Sequence, residues 1–279
     1  LSAYDRKGVE VYLDEKWGVG NDLRTSYGAG NFNDNPYELG LSDEPTMIVR
    51  LDASILGATS GLASWSDRSG NGHAATQGTA ANQPSVVAGV QNGLSVVRCD
   101  SSDYMTVAQA YVTGSAFIIA KYDGTSFSGH DGLYGAATGY GSVEQYWSGG
   151  DGGPFWGNES GGGFYSSKYL NGALSNTALT SPSAFNLYSG VDATPNAFTS
   201  WAVGADRAFG AGRSWEGDIA EVVVYEEALS DFDRKGVEVY LDEKWGLNLG
   251  LRASYGAGNF NDDSETLGFP SGATLFRFR

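Results

Sequence analysis

The stretch EGDIAE places Glu216, Asp218 and Glu221 within six positions of one β-prone segment. Two carboxyl groups about 5 to 5.5 Å apart can act as nucleophile and acid/base in retaining glycoside hydrolysis. Glu216 and Glu221 are the candidate pair, with Asp218 between them. In a regular strand Glu216 and Asp218 share a face and Glu221 points to the other. Convergence therefore requires a β-bulge. The structural alternative makes Glu221 a buried acid, hydrogen-bonded to a loop or to a Tyr or Trp.

WSDRSGNGH, residues 65–73, carries oxygen donors at Asp67, Ser69 and Asn71 between glycines that allow positive φ. Asp67 and Asn71 are candidate calcium ligands. The loop lacks the alternating acids and terminal Glu of an EF-hand loop. A turn braced by Asx side chains is the other reading. His73 and His130, the two histidines, are far apart, which argues against a His-rich metal site. Cys99 is alone, so no internal disulfide forms, and the alternation SVVRC reads it as a buried small side chain.

Residues 128–164 mix many glycines with aromatic and acidic side chains. Sugar sites pair an aromatic face with Asp and Asn that bond hydroxyls. The glycan-binding candidates are Asp131, Tyr146, Trp147, Asp151, Trp156 and Asn158. The alternative is a set of glycine turns whose aromatics pack on the fold's edge or on a neighbour.

These residues must be positioned by strands. TMIVRLD, LSVVRCD, SAFIIAKYD, SVEQYWS, GFYSSKYLNG, TSWAVGAD and DIAEVVVYE are short, β-branched or aromatic, and bounded by Gly, Asn, Asp or Ser. AFIIA and VVVY are apolar on both faces, as expected for central strands covered by a second sheet. DFDRKGVEVYLDEKWG reads as a helix. Ser230 and Asp233 form a capping box, Val237, Leu241 and Trp245 make one apolar stripe, and Gly246 supplies the left-handed stop. Gly236 inside it costs about 1 kcal/mol relative to Ala, which implies close packing there.

That helix occurs twice. DRKGVEVYLDEKWG runs from Asp5 and again from Asp233, a period of 233 − 5 = 228 residues, and SYGAGNFND follows each copy. A period this long is a domain, not a solenoid unit. The expected layout is the closing helix of a preceding repeat (1–18), a linker (19–45), a complete domain (46–246), a second linker (247–273) and the first strand of a following repeat (274–279). Flexible linkers need no particular sequence. The repetition of Tyr27 and Tyr255, and of Phe32 and Phe260, implies aromatics that dock. With Trp17 and Trp245 they are the candidate inter-domain contacts.

A formal charge of −16, from 33 acids and 17 Lys and Arg, disfavours nucleic acid and anionic membranes as partners. It leaves carboxylates free to meet cations, so calcium is the one cofactor the sequence raises. No run of about 18 apolar residues signals membrane insertion. The opening Leu1 and the lack of a signal peptide suggest a mature fragment or an excerpt from something longer.

LDAS, WSDRSGNGHAATQ, NGLSVVRCDSSDYM, KYLNGAL and WEGDIAEVVVYEEALSDFDRKGVEVYLDEKWG, in this order over about 46–246, resemble the concanavalin A-like, laminin-G-like domains of repetitive bacterial or viral surface proteins. The resemblance implies an all-β fold: an antiparallel two-sheet jelly-roll sandwich with a short C-terminal helix. That fold hosts lectins, adhesins, accessory modules and spacers alike. EGDIAE also resembles the catalytic strand of laminarinase-type β-glucanases, although Gly217 replaces the aliphatic residue usual there. The expectation is a non-enzymatic structural unit of a tandem-repeat protein: extracellular and filament-forming, or on a cell surface or virion. Its partners would be neighbouring copies. A carbohydrate-binding adhesion module, with glycans as partner, is the alternative, and a glycosidase comes after it.

Overall fold

The computed structural model describes residues 2–28, 30–32, 45–100, 102–123, 131–136, 146–148, 166–175, 184–192, 197–198, 200–205 and 214–269. Helices α1 (Ala3–Trp17) and α2 (Leu23–Tyr27) come first. They precede β1 (Met47–Asp52), β2 (Ser64–Trp65), β3 (Ala75–Thr76), β4 (Ser85–Gln91), β5 (Leu94–Cys99) and β6 (Met105–Val107). β7 (Tyr111–Val112), β8 (Ser115–Tyr122), β9 (Gly132–Ala136), β10 (Tyr146–Ser148), β11 (Ser167–Leu170) and β12 (Ala173–Leu174) follow. β13 (Asn186–Val191), β14 (Ala197–Phe198), β15 (Trp201–Val203) and β16 (Gly217–Tyr225) lead to α3 (Asp231–Trp245) and α4 (Leu251–Tyr255).

Among the described residues the strands form two large antiparallel sheets and a two-stranded ribbon, β14-β7. One runs β12-β11-β13-β8-β16-β5-β4, with β1 also paired to β16, and the other β10-β9-β15-β6-β3-β2. Val49, Ile118, Tyr188 and Val222 of the first sheet meet Trp65, Val107, Tyr134 and Trp201 of the second in the core between them. The fold is therefore an all-β sandwich. Successive residues of β8 point to opposite faces, and both faces are buried. Ile118 and Ala120 enter the inter-sheet core, whereas Phe117 and Ile119 face a second apolar layer. That layer is helical: Val237, Leu241 and Trp245 of α3 and Leu251 of α4 pack there with Val96, Leu187, Val223 and Tyr225. The continuous apolar runs of the central strands thus serve a sheet on one side and a helical hairpin on the other.

α3 has the caps its sequence predicts. Ser230 Oγ accepts from Asp233 N at 3.1 Å, and Gly246 closes the helix at φ 58°. Gly236 packs against the returning chain, since a Cβ there would lie 2.2 Å from the Asn261 carbonyl oxygen. The β4–β5 turn grips the other end. Gln91 Nε2 donates to the Trp245 carbonyl at 2.8 Å and Asn92 Nδ2 to that of Lys244 at 2.9 Å. These amides satisfy carbonyls that a helix end leaves orphaned.

Residues 247–269, expected as part of a linker, fold back onto the sandwich. Leu251, Phe260, Leu267 and Phe269 are all buried, Tyr225 donates its hydroxyl to the Leu267 carbonyl at 2.6 Å, and Phe269 stacks on Tyr240 at 3.8 Å. No helix among the described residues is long and apolar enough to cross a membrane.

Candidate functional site

The acidic strand resolves into three separate environments. β16 does carry a bulge: its register against β8 shifts between Ile219 and Glu221. The bulge brings Glu221 to the helical face, where it is fully buried. There it accepts from Arg50 Nε at 2.9 Å, Lys244 Nζ at 2.6 Å and Trp245 Nε1 at 2.7 Å. Asp52 completes the cluster, 3.1 Å from Arg50 Nη2 and 2.7 Å from Lys244 Nζ. Burial alone would raise the Asp52 carboxyl. Lys244, Ser54 and Arg50 outweigh it and hold that carboxyl below the ordinary aspartate range. Two cations face two anions, with the Arg50 guanidinium against the Tyr240 and Phe269 rings and Lys244 Nζ against that of Trp245. Asp218 lies elsewhere, gripped by Arg98 through both oxygens at 2.7 and 2.9 Å. Glu216 is exposed just before β16. Glu221 and Asp218 face different partners, Glu216 is at the surface, and the Glu221 cluster locks β1, β16 and α3 together.

The WSDRSGNGH loop serves β1. Asp67 accepts from the amides of Arg50, Ser69 and His73, each at 2.9 Å, and from Ser69 Oγ at 2.7 Å. Burial would raise its carboxyl, but these donors hold it below the ordinary range. Asn71 Nδ2 donates to the Met47 carbonyl at 3.0 Å. The loop thus satisfies the edge of β1 that faces away from β16, as exposed sheet edges require. Sequence reasoning identified the turn but not the strand it serves. Among the described residues no group of three or more His, Cys, Asp and Glu side chains could hold a metal ion. Cys99 is buried, and burial pushes its thiol pKa well up, so it carries little thiolate.

Of the glycan candidates, Asp131 is buried and accepts from the Tyr122 hydroxyl at 3.3 Å. Tyr146 and Trp147 lie on β10, whose backbone pairs with β9. Asp151, Trp156 and Asn158 fall outside the described residues.

The duplicated hairpin is the feature with an unfilled surface. α1–α2 and α3–α4 are built alike. Asp14 accepts from the amides of Asn21 and Leu23, as Asp242 does from those of Leu249 and Leu251. Arg24 pairs with Glu15 and sits 5.2 Å over Phe32; Arg252 pairs with Glu243 and sits 5.2 Å over Phe260. Tyr27 donates to Glu10 and Tyr255 to Glu238. The repeated aromatics Tyr27, Phe32, Tyr255 and Phe260 therefore brace their own hairpins.

The two copies differ in what covers them. Leu241 and Trp245 are fully buried on the sheet, whereas their counterparts Leu13 and Trp17 are 44% and 72% exposed. Arg234 is buried with its guanidinium 3.7 Å from the Tyr169 ring, whereas the side chain of its counterpart Arg6 is 61% exposed. Val19, just past the helix, is exposed as well. Large apolar side chains grouped on one surface mark an association site.

No family model and no curated protein matches this chain. It is similar to a Trypanosoma rangeli sialidase solved in complex with sialic acid, at 15% identity and a TM-score of 0.39. That alignment covers 66% of this chain and 31% of the sialidase, so the chain spans less than a third of its length. It is also similar to domain 4 of AbnA, a GH43 extracellular arabinanase from Geobacillus stearothermophilus, in complex with arabinotriose. Here the identity is 18% and the TM-score 0.28, over 67% of this chain and 96% of that one. At these scores the likeness carries no argument about function, and the functional reading rests on the residues themselves.

Proposed function

We propose that the chain is a structural unit of a tandem array of concanavalin A-like, jelly-roll sandwich domains, in a filament-forming, cell-surface or virion protein outside the cell. Each unit is closed by a helical hairpin, and residues 1–45 carry the hairpin of the preceding unit. One observation carries this reading: the same hairpin, with the same internal bonds, is seated on a sheet at one end of the chain and presents its seating face at the other. Leu241 and Trp245 show what that face is built to meet, an apolar sheet like that of Phe117, Ile119 and Val223. The Glu221 cluster supports a structural role, because its carboxylate is fully buried and saturated by three donors.

The test is a protein in which residues 46–228 are joined to residue 1 of the full chain, which supplies the missing sandwich in the register of the repeat. Oxidative footprinting read by mass spectrometry follows Trp17. Strong protection relative to the single chain is the expected result. A Trp17 as reactive as before refutes the array.

A further inference from the structure

The sandwich brings the two ends of its chain to one corner. Met47 pairs with Tyr225 at the end of β16, and the Tyr225 hydroxyl holds the Leu267 carbonyl at 2.6 Å. A Cβ at Gly268 would lie 3.1 Å from the Met47 Cβ, so the entering strand and the leaving turn touch. Thr46 is fixed there too, donating its amide to Glu227 at 2.6 Å and accepting from Glu226 N at 3.1 Å. Phe269, the last described residue, stacks on Tyr240 at 3.8 Å with the Arg50 guanidinium 5.0 Å from its ring.

The repeat then fixes the reach to the next unit. Thr274 is the counterpart of Thr46, and only residues 270–273 separate it from Phe269. The same count separates Leu41, the counterpart of Phe269, from Thr46. Five Cα–Cα steps of 3.8 Å reach at most about 19 Å.

Given the array, we infer that successive units join corner to corner: the Met47–Phe269 corner of each unit abuts that of the next, and the sandwiches project from this line. The partner surface is the same corner of a second copy. The alternative, entry and exit at opposite ends, adds the length of β16 to every step, about 30 Å for nine residues. The two hairpins already meet in this chain, with the Arg24 guanidinium donating to the Gly258 carbonyl. The projecting end holds Tyr122 of β8 and Gly217 of β16, because Ser115 of β8 pairs with Tyr225 at the corner and Tyr122 with Gly217 at the opposite end of β16.

The same two-unit protein, with Thr46→Cys in both units and spin labels attached, tests this by pulsed electron resonance. Cys99 is buried and stays unlabelled. Corner-to-corner joining places the labels within about 30 Å of each other, the tether reach plus one contact. A distribution centred beyond that distance overturns the inference. The two readouts separate the failures. Trp17 protected with the labels far apart sinks the corner joint and leaves the array, whereas Trp17 unprotected sinks the array itself.

Discussion

Replacing Glu221 by Gln tests whether this acid holds the fold together or was placed for catalysis. The carboxylate is fully buried and accepts three hydrogen bonds, two of them from the cations Arg50 and Lys244. With Asp52 the cluster balances two positive charges against two negative ones. Glutamine leaves one positive charge uncompensated and turns an NH2 group toward a donor. Breaking a buried pair in this way costs about 3 to 5 kcal/mol. Set against a typical domain stability of about 5 to 15 kcal/mol, that is a large share. Urea unfolding followed by tryptophan fluorescence measures it. With a slope of about 3 kcal/mol/M the midpoint falls by roughly 1 to 1.7 M. Glu216→Gln, at an exposed acid, stays within about 0.5 kcal/mol of the parent. A loss below about 1 kcal/mol at Glu221 with an unchanged slope refutes the structural assignment. Catalytic groups held under strain behave the opposite way, since removing them commonly stabilises the protein.

Three further outcomes are expected. Trp245→Ala costs about 3 to 5 kcal/mol by emptying a buried site, while Trp17→Ala in the same helix sequence changes stability by less than about 0.5 kcal/mol, both read by thermal unfolding. Saturating calcium leaves the melting temperature of the chain unchanged, because four donors already occupy the Asp67 oxygens; a rise of several degrees restores the calcium loop. Asp52 and Asp67 titrate below the ordinary aspartate pKa of about 3.9, so their stabilisation is complete above that value and lost as pH falls through the lowered folded one. The melting temperature therefore drops below about pH 4, and Asp52→Asn flattens that drop; an unaltered slope in the variant contradicts the assignment.

What the sequence reveals and conceals follows from the range of each interaction. The cap at Ser230, the stop at Gly246 and the crowding at Gly236 depend on neighbours within the helix or on one close crossing, and residue type signals each. The sandwich itself is legible because β8 carries the apolar run AFIIA and β16 the run VVVY. The environment of Glu221 is not, since Arg50 lies 171 residues away in sequence and the bulge that turns the acid toward it has no residue signature. Asp67 reads as a turn residue, but its client is the edge of β1. Residues 247–269 read as linker because Phe260, Leu267 and Phe269 follow no helical or strand period, and each is buried singly through a turn. The contrast between Trp17 and Trp245 is invisible to sequence, because the two helices are almost the same.

The contact between Met47 and Gly268 also decides how such an array carries tension. Force entering at β1 leaves a few ångströms away, so the load crosses one corner and bypasses the two sheets. The first attachments to yield are the Phe269 stack and the Tyr225 bond to Leu267. Once they part, the chain between Trp245 and Phe269 can pay out to roughly 80 Å before α3 is pulled from its sheet. In the proposed array each unit would then lengthen by this segment before its sandwich takes the load.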